Sequence, residues 1–140
     1  MKDGSYQILH VEDNEARYIN YSRMVSAALN KAGIQHELNW ARSVGDAMKF
    51  IVNNIDRLDL ILLDISLAND GSETGLDLVK MISGQIRISI PIFVVSSNVG
   101  AYRHVLERLK SEQKIVGYSE PMNEVWTDQL FSILQGKEIS

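Results

Sequence analysis

Short apolar runs alternate along this chain with stretches in which apolar residues recur every three or four positions. The runs QILHV (7–11), LILL (60–63), PIFVV (91–95) and KIVGY (114–118) have strand length and are bounded by charges or turn-forming residues. A fifth run, IQHELNW (34–40), alternates: Ile34, His36, Leu38 and Trp40 share one face, with Gln35, Glu37 and Asn39 on the other. Alternation suits a half-exposed strand at a sheet edge. The near-continuous runs suit strands covered on both faces.

Helical periodicity fills the intervals. Residues 15–32 carry Tyr18, Tyr21, Val25, Ala28 and Leu29 on one side, with Gly33 where a glycine C-cap belongs. Ser43 is placed to cap a helix that buries Val44, Ala47, Met48, Ile51 and Val52. Leu76, Val79 and Ile82 mark a third helix, and Tyr102, Val105, Leu106 and Leu109 a fourth. Asn123 could cap a fifth, with Trp126, Leu130, Ile133 and Leu134 inward and Gly136 near its end. This βα alternation predicts a doubly wound α/β fold: a parallel sheet between helices, with right-handed crossovers. A chain of 140 residues without a linker or repeat is read as one domain, 1–140.

Composition narrows the function classes. With no cysteine, a disulfide framework and a thiolate metal site are excluded. Charged residues interrupt every apolar run before membrane-spanning length, and the opening MKDGSYQILH lacks a signal-peptide stretch, so a cytoplasmic protein without membrane contact is expected. A net charge of -4 argues against a nucleic-acid surface.

Ligands of open parallel sheets bind beyond the carboxyl ends of the strands, where strand order reverses. The residues there are Glu12, Asp13 and Asn14; Asp64; Ser96, Ser97 and Asn98; and Ser119, Glu120 and Pro121. In the common order 2-1-3-4-5, the first and third strands are neighbours, so Glu12, Asp13 and Asp64 meet. Crowded carboxylates retain protons or take up a cation. Their hard oxygens suit Mg²⁺, and a carboxylate beside it can attack phosphorus while a nearby hydroxyl bonds a phosphoryl oxygen. A lone aspartate at a strand end is often a turn former, and Asp13 could cap the first helix. Three acids at one switch point favour a functional site.

The segment QILHVEDN resembles the opening of response-regulator receiver domains, LDLILLDISL their phosphoacceptor strand, and IPIFVVSS their fourth strand. The resemblance covers nearly the whole chain. It implies the five-stranded flavodoxin-like receiver fold of two-component signalling, in a signalling protein rather than an enzyme. It also implies that Glu12, Asp13, Asp64 and the Ser66 carbonyl hold Mg²⁺, that Asp64 accepts phosphate from a sensor histidine kinase or phosphotransfer protein, and that the Ser96 hydroxyl senses it. Ser66 and Asn98 fall where the family tunes dephosphorylation. With no output domain expected, signalling runs through a downstream protein target, and a homodimer is compatible with it.

Three departures from the family pattern stand out. Glu120, in YSEPM, occupies the position of the family's pocket lysine. At ~4 Å and an effective dielectric of about 20, that exchange replaces an attraction of roughly 4 kcal/mol by a similar repulsion, less where solvent reaches. Lys114 lies at the wrong end of the strand to substitute. The family's switching aromatic, three positions earlier, is Gly117 here, with Tyr118 on the opposite strand face, so the usual coupling is absent or rerouted. The loop ISLANDGSETG is longer than usual, with Ala68 where proline is common and Asn69-Asp70-Gly71 most simply a turn.

His10 reads as a packed core histidine, His36 and His104 have no evident partners, and the three are too dispersed for a metal triad. Trp126 and Tyr102 read as core. The alternative function is a pseudo-receiver, an interaction module that no longer uses phosphorylation, favoured by Glu120 and Gly117. Enzyme classes on similar scaffolds lack their motifs: there is no GxxxxGK[ST] and no G-x-S-x-G.

Overall fold

The structure is a computed structural model and describes residues 4–65, 74–85, 89–122 and 125–136. Strands and helices alternate: β1 (Tyr6–Val11), α1 (Glu15–Lys31), β2 (His36–Ala41), α2 (Val44–Asn53), β3 (Leu60–Leu63), α3 (Gly75–Ser83), β4 (Ile92–Val95), α4 (Arg103–Ser111), β5 (Gly117–Ser119) and α5 (Val125–Leu134). The strands form one sheet in the order β2-β1-β3-β4-β5, and every pair is parallel. This is the expected doubly wound order. Among the described residues, no helix is long and apolar enough to cross a membrane.

The pleat sorts each strand between two cores. Leu9 and Val11, Ile61 and Leu63, and Ile92 and Val94 point to one face, where α2, α3 and α4 supply Ala47, Ile51, Leu78, Val79 and Leu106. Ile8, Leu60, Leu62, Phe93 and Val95 point to the other, where α1 and α5 supply Tyr21, Val25, Leu29, Trp126, Leu130 and Ile133. Both faces of the central strands are therefore dry, which explains their unbroken apolar runs.

Local signals set the helix ends. Ser43 accepts a hydrogen bond from the Asp46 backbone N–H at 3.1 Å, as an N-cap should. Gly33 follows α1 with φ +74°, a left-handed conformation that only glycine adopts cheaply. The first helix is capped by Asn14, not Asp13: Asn14 Oδ1 accepts from the Arg17 N–H at 2.9 Å. Asp13 is thereby left for other work.

Several expectations shift. The fifth strand begins three residues later than expected, at Gly117: the chain first turns through Gln113 (φ 62°), and Val116 N donates to Ile92 O at 2.8 Å as it enters the sheet. Tyr102 is 39% exposed rather than core, since it sits at the N-cap of α4, ahead of the inward stripe. Val52 is 61% exposed, one step off the buried Ile51 row of α2. Asn123 lies outside the described residues.

Gly75 opens α3 directly against the end of β3. A Cβ there would collide with the Asp64 carbonyl oxygen and lie 2.7 Å from Ile65 Cα. Backbone cannot yield as a side chain can. Gly75→Ala is therefore expected to lower the unfolding free energy by about 1–3 kcal/mol in urea titrations. An unchanged midpoint would contradict this close approach.

Candidate functional site

The site grows out of the β1–β3 pairing. Val11 stands opposite Leu63, and the ladder runs one residue further, with Asp64 N donating to Val11 O at 3.1 Å and Glu12 N to Ala41 O at 3.0 Å. Glu12 therefore lies level with Asp64. By the pleat, both continue the rows that face α1 and α5. Glu12 is fully buried and Asp64 is 4% exposed. One carboxylate oxygen each from Glu12, Asp13 and Asp64 lies within 4.8 Å of the others. The three acids singled out from the sequence do converge.

Burial and the neighbouring Asp64 charge push the Glu12 carboxyl up to about 8 from its ordinary 4.5, against the Asn14 N–H bond and Arg17, which favour the charged form. The Asn14 N–H donates to Glu12 Oε2 at 3.1 Å. The Trp40 indole N–H donates to the Glu12 carbonyl at 2.7 Å, pinning the strand end from the neighbouring β2. Trp40 stacks on Tyr18 of α1, with ring centroids 4.4 Å apart, and Arg42 covers its ring at 4.1 Å.

A cation missing from the sequence reading is also present. Arg17, in the first turn of α1, directs its Nε to both Glu12 oxygens at 3.3 Å and its Nη2 to Asp13 Oδ1 at 3.3 Å. Its Nε is also 3.8 Å from Asp64 Oδ2. Partial burial works against its charge, yet the surrounding carboxylates outweigh that and hold it more firmly protonated than a free arginine. A signal did exist. A basic residue in a helix's first turn opposes the helix dipole and calls for a local anionic partner.

The donor set fits a hard divalent cation. Three convergent carboxylates are the ligands such an ion takes, and Asp13 Oδ2 is buried without a hydrogen-bond partner among the described residues. Ser66, whose carbonyl was expected to join them, lies outside the described residues, as do Ala68 and residues 69–71, where a turn was expected.

The sequence matches no known family profile and no curated protein. Solved structures do match. The phosphorylated cyanobacterial phytochrome response regulator RcpA is 26% identical, over 95% of this chain and 91% of its own, with a TM-score of 0.65. A two-component response regulator from Legionella pneumophila is 23% identical, over 94% and 99%, with a TM-score of 0.67. One from Cytophaga hutchinsonii is 10% identical, over 96% and 100%, with a TM-score of 0.78. This chain folds as a response-regulator receiver domain.

The receiver's remaining candidates divide. Ser96 is buried just past β4, its N–H donating to Ser119 O at 3.1 Å and its Oγ accepting from Asn98 N at 3.2 Å. Leu63 pairs with Val94, so Ser96 stands one residue beyond the level of Asp64 on the adjacent strand. Glu120 is exposed at the end of β5 and does not join the acidic cluster. Tyr118 packs toward the α2–α4 core, and its hydroxyl donates to Glu107 of α4. Tyr118, rather than Gly117, is thus the β5 residue tied to α4. His10 is buried, its imidazole pushed down to about 4 by burial, with Nδ1 unpartnered among the described residues. His36 does have partners, Ser26 Oγ at 3.0 Å and Ile34 O at 3.1 Å.

Glu12 gives the metal-free receiver an unusual pH dependence. The native state holds its proton up to about pH 8, whereas the unfolded chain releases it near 4.5, so stability rises as pH falls through that window. His10 acts oppositely, but only below about 6.5. Urea unfolding in chelator should show a gain on the order of 1–2 kcal/mol between about pH 8.5 and about pH 6.5. Glu12→Gln should flatten it. A native stability that falls over that interval would contradict this account of Glu12.

Proposed function

We propose that this receiver takes a phosphoryl group on Asp64 from a histidine kinase or phosphotransfer protein and signals through protein contacts. The observation that carries this reading is the convergence of Glu12, Asp13 and Asp64 at the β1–β3 switch point. The structural similarity to a response regulator solved in its phosphorylated state supports it.

In the proposed step an Asp64 carboxylate oxygen attacks phosphorus. The bond to the donor's imidazole nitrogen breaks, and its electron pair leaves with the imidazole. Glu12 and Asp13, with Asp64, would hold Mg²⁺, which when bound supplies positive charge to the transferring group. Ser96, one residue beyond the Asp64 level on the adjacent strand, would donate its hydroxyl proton to a phosphoryl oxygen. Glu120, being exposed, adds less repulsion than a buried carboxylate would.

The pseudo-receiver reading has one specific observation in its favour. Arg17 already neutralises part of the pocket, so the fold has an answer to its buried acids that involves no phosphoryl group. Intact-mass measurement after incubation with Mg²⁺ and a small acyl phosphodonor separates the two. The phosphoacceptor reading expects a base-labile gain of one phosphoryl group that Asp64→Asn abolishes. No gain in the wild type, with gain restored by Glu120→Lys, favours the pseudo-receiver.

A further inference from the structure

We propose that Arg17 is a resident counter-cation that excludes divalent metal from the acidic pocket until its guanidinium swings out. The inference rests on the reading of the pocket as a metal site and concerns what governs its occupancy.

Arg17 and a metal ion would compete for the same oxygens. The guanidinium lies within 3.3 Å of Glu12 and Asp13 and 3.8 Å of Asp64, the three residues whose oxygens cluster. A Mg²⁺ ion holds its oxygens at about 2.0–2.1 Å in near-ideal octahedral geometry, which leaves no room for a guanidinium among them. The alternative, both cations side by side, would add their repulsion in a largely dry pocket.

The fit of Arg17 is also incomplete. Charge-assisted N–H···O bonds normally shorten to about 2.7–2.9 Å, and the Arg17 contacts are all longer. None of them reaches Asp13 Oδ2, which stays buried and unpartnered among the described residues. A loosely fitted occupant can be displaced by one that satisfies every oxygen.

An exit lies next to the pocket. The Arg17 side chain is 40% exposed, while its backbone is anchored by the Asn14 cap. It lines an open groove of about 670 Å³ between α1 and the segment after β5, together with Tyr21, Met24, Pro121 and Met122. A guanidinium leaving the acids would enter this groove and lay its stem on the Met24 and Met122 side chains. Metal entry would then move a positive charge from the pocket onto the α1 face, so the surface offered to a partner would differ between the two states.

Two measurements test this on the intact chain. The first is Mg²⁺ affinity of the wild type, Arg17→Met and Arg17→Lys, by calorimetry and by tryptophan fluorescence, Trp40 being bonded to the Glu12 carbonyl. Because Arg17 is partly solvated, the expected gain for Arg17→Met is moderate, about tenfold, equivalent to ~1.4 kcal/mol. Arg17→Lys should fall between. The second is the ¹⁵N Nε–H resonance of Arg17 in the wild type, expected to lose its exchange protection as Mg²⁺ saturates. Equal or weaker affinity in Arg17→Met, or an Nε–H signal unmoved at saturation, overturns the proposal and leaves the metal site standing. Absence of Mg²⁺ binding in every variant overturns both. Should Arg17→Met fail to fold, the wild-type resonance decides.

Discussion

Two parallel strands that end at one level bury two carboxylates side by side, and the cost of that juxtaposition governs the rest of the site. Glu12 and Asp64 face each other across the β1–β3 rung, on the same side of the sheet, almost without solvent. A buried ionised carboxylate is costly unless it is paired or protonated. The surroundings supply three partial answers: a shifted Glu12 proton, an amide donor from Asn14, and the Arg17 guanidinium. Even the tight seating of Gly75 belongs to this constraint. It lets α3 close over the Asp64 backbone without a side chain in the way.

The fold was legible because burial on both faces writes itself into sequence as unbroken apolar runs, and LILL and IFVV carry little else. The edge position of β2 was legible in the alternation of IQHELNW. The start of β5 was not. KIVGY is as apolar as the other runs, but a backbone turn at Gln113 delays pairing, and turn geometry at a non-glycine residue leaves no compositional mark. Val52 misled because it lies one position off the buried Ile51 row, and Tyr102 because it keeps the helical spacing to Leu106 but stands at the N-cap, ahead of the packed part of α4.

The acidic half of the site followed from strand ends and topology, but its balancing cation did not. Strand ends are where such sheets bind ligands, and the acid found at the end of β5, Glu120, is exposed and brings no positive charge. Arg17 comes instead from the helix, four residues after Asp13, and reaches back because Asn14 turns the chain at once into α1. Charge balance was thus met from a different direction. On the far side of the sheet Tyr118 faces α4 and its hydroxyl bonds Glu107.

The proposed competition leaves the Glu12–Asp13–Asp64 pocket a single cation at a time, Arg17 or a metal. Anomalous diffraction from crystals grown with and without Mn²⁺ addresses it most directly. The account predicts a manganese peak among the three carboxylates, with the Arg17 guanidinium turned into the α1 groove, and the guanidinium among the carboxylates when metal is withheld. A manganese ion bound there with Arg17 unmoved, or no ion there at saturating Mn²⁺, would contradict it.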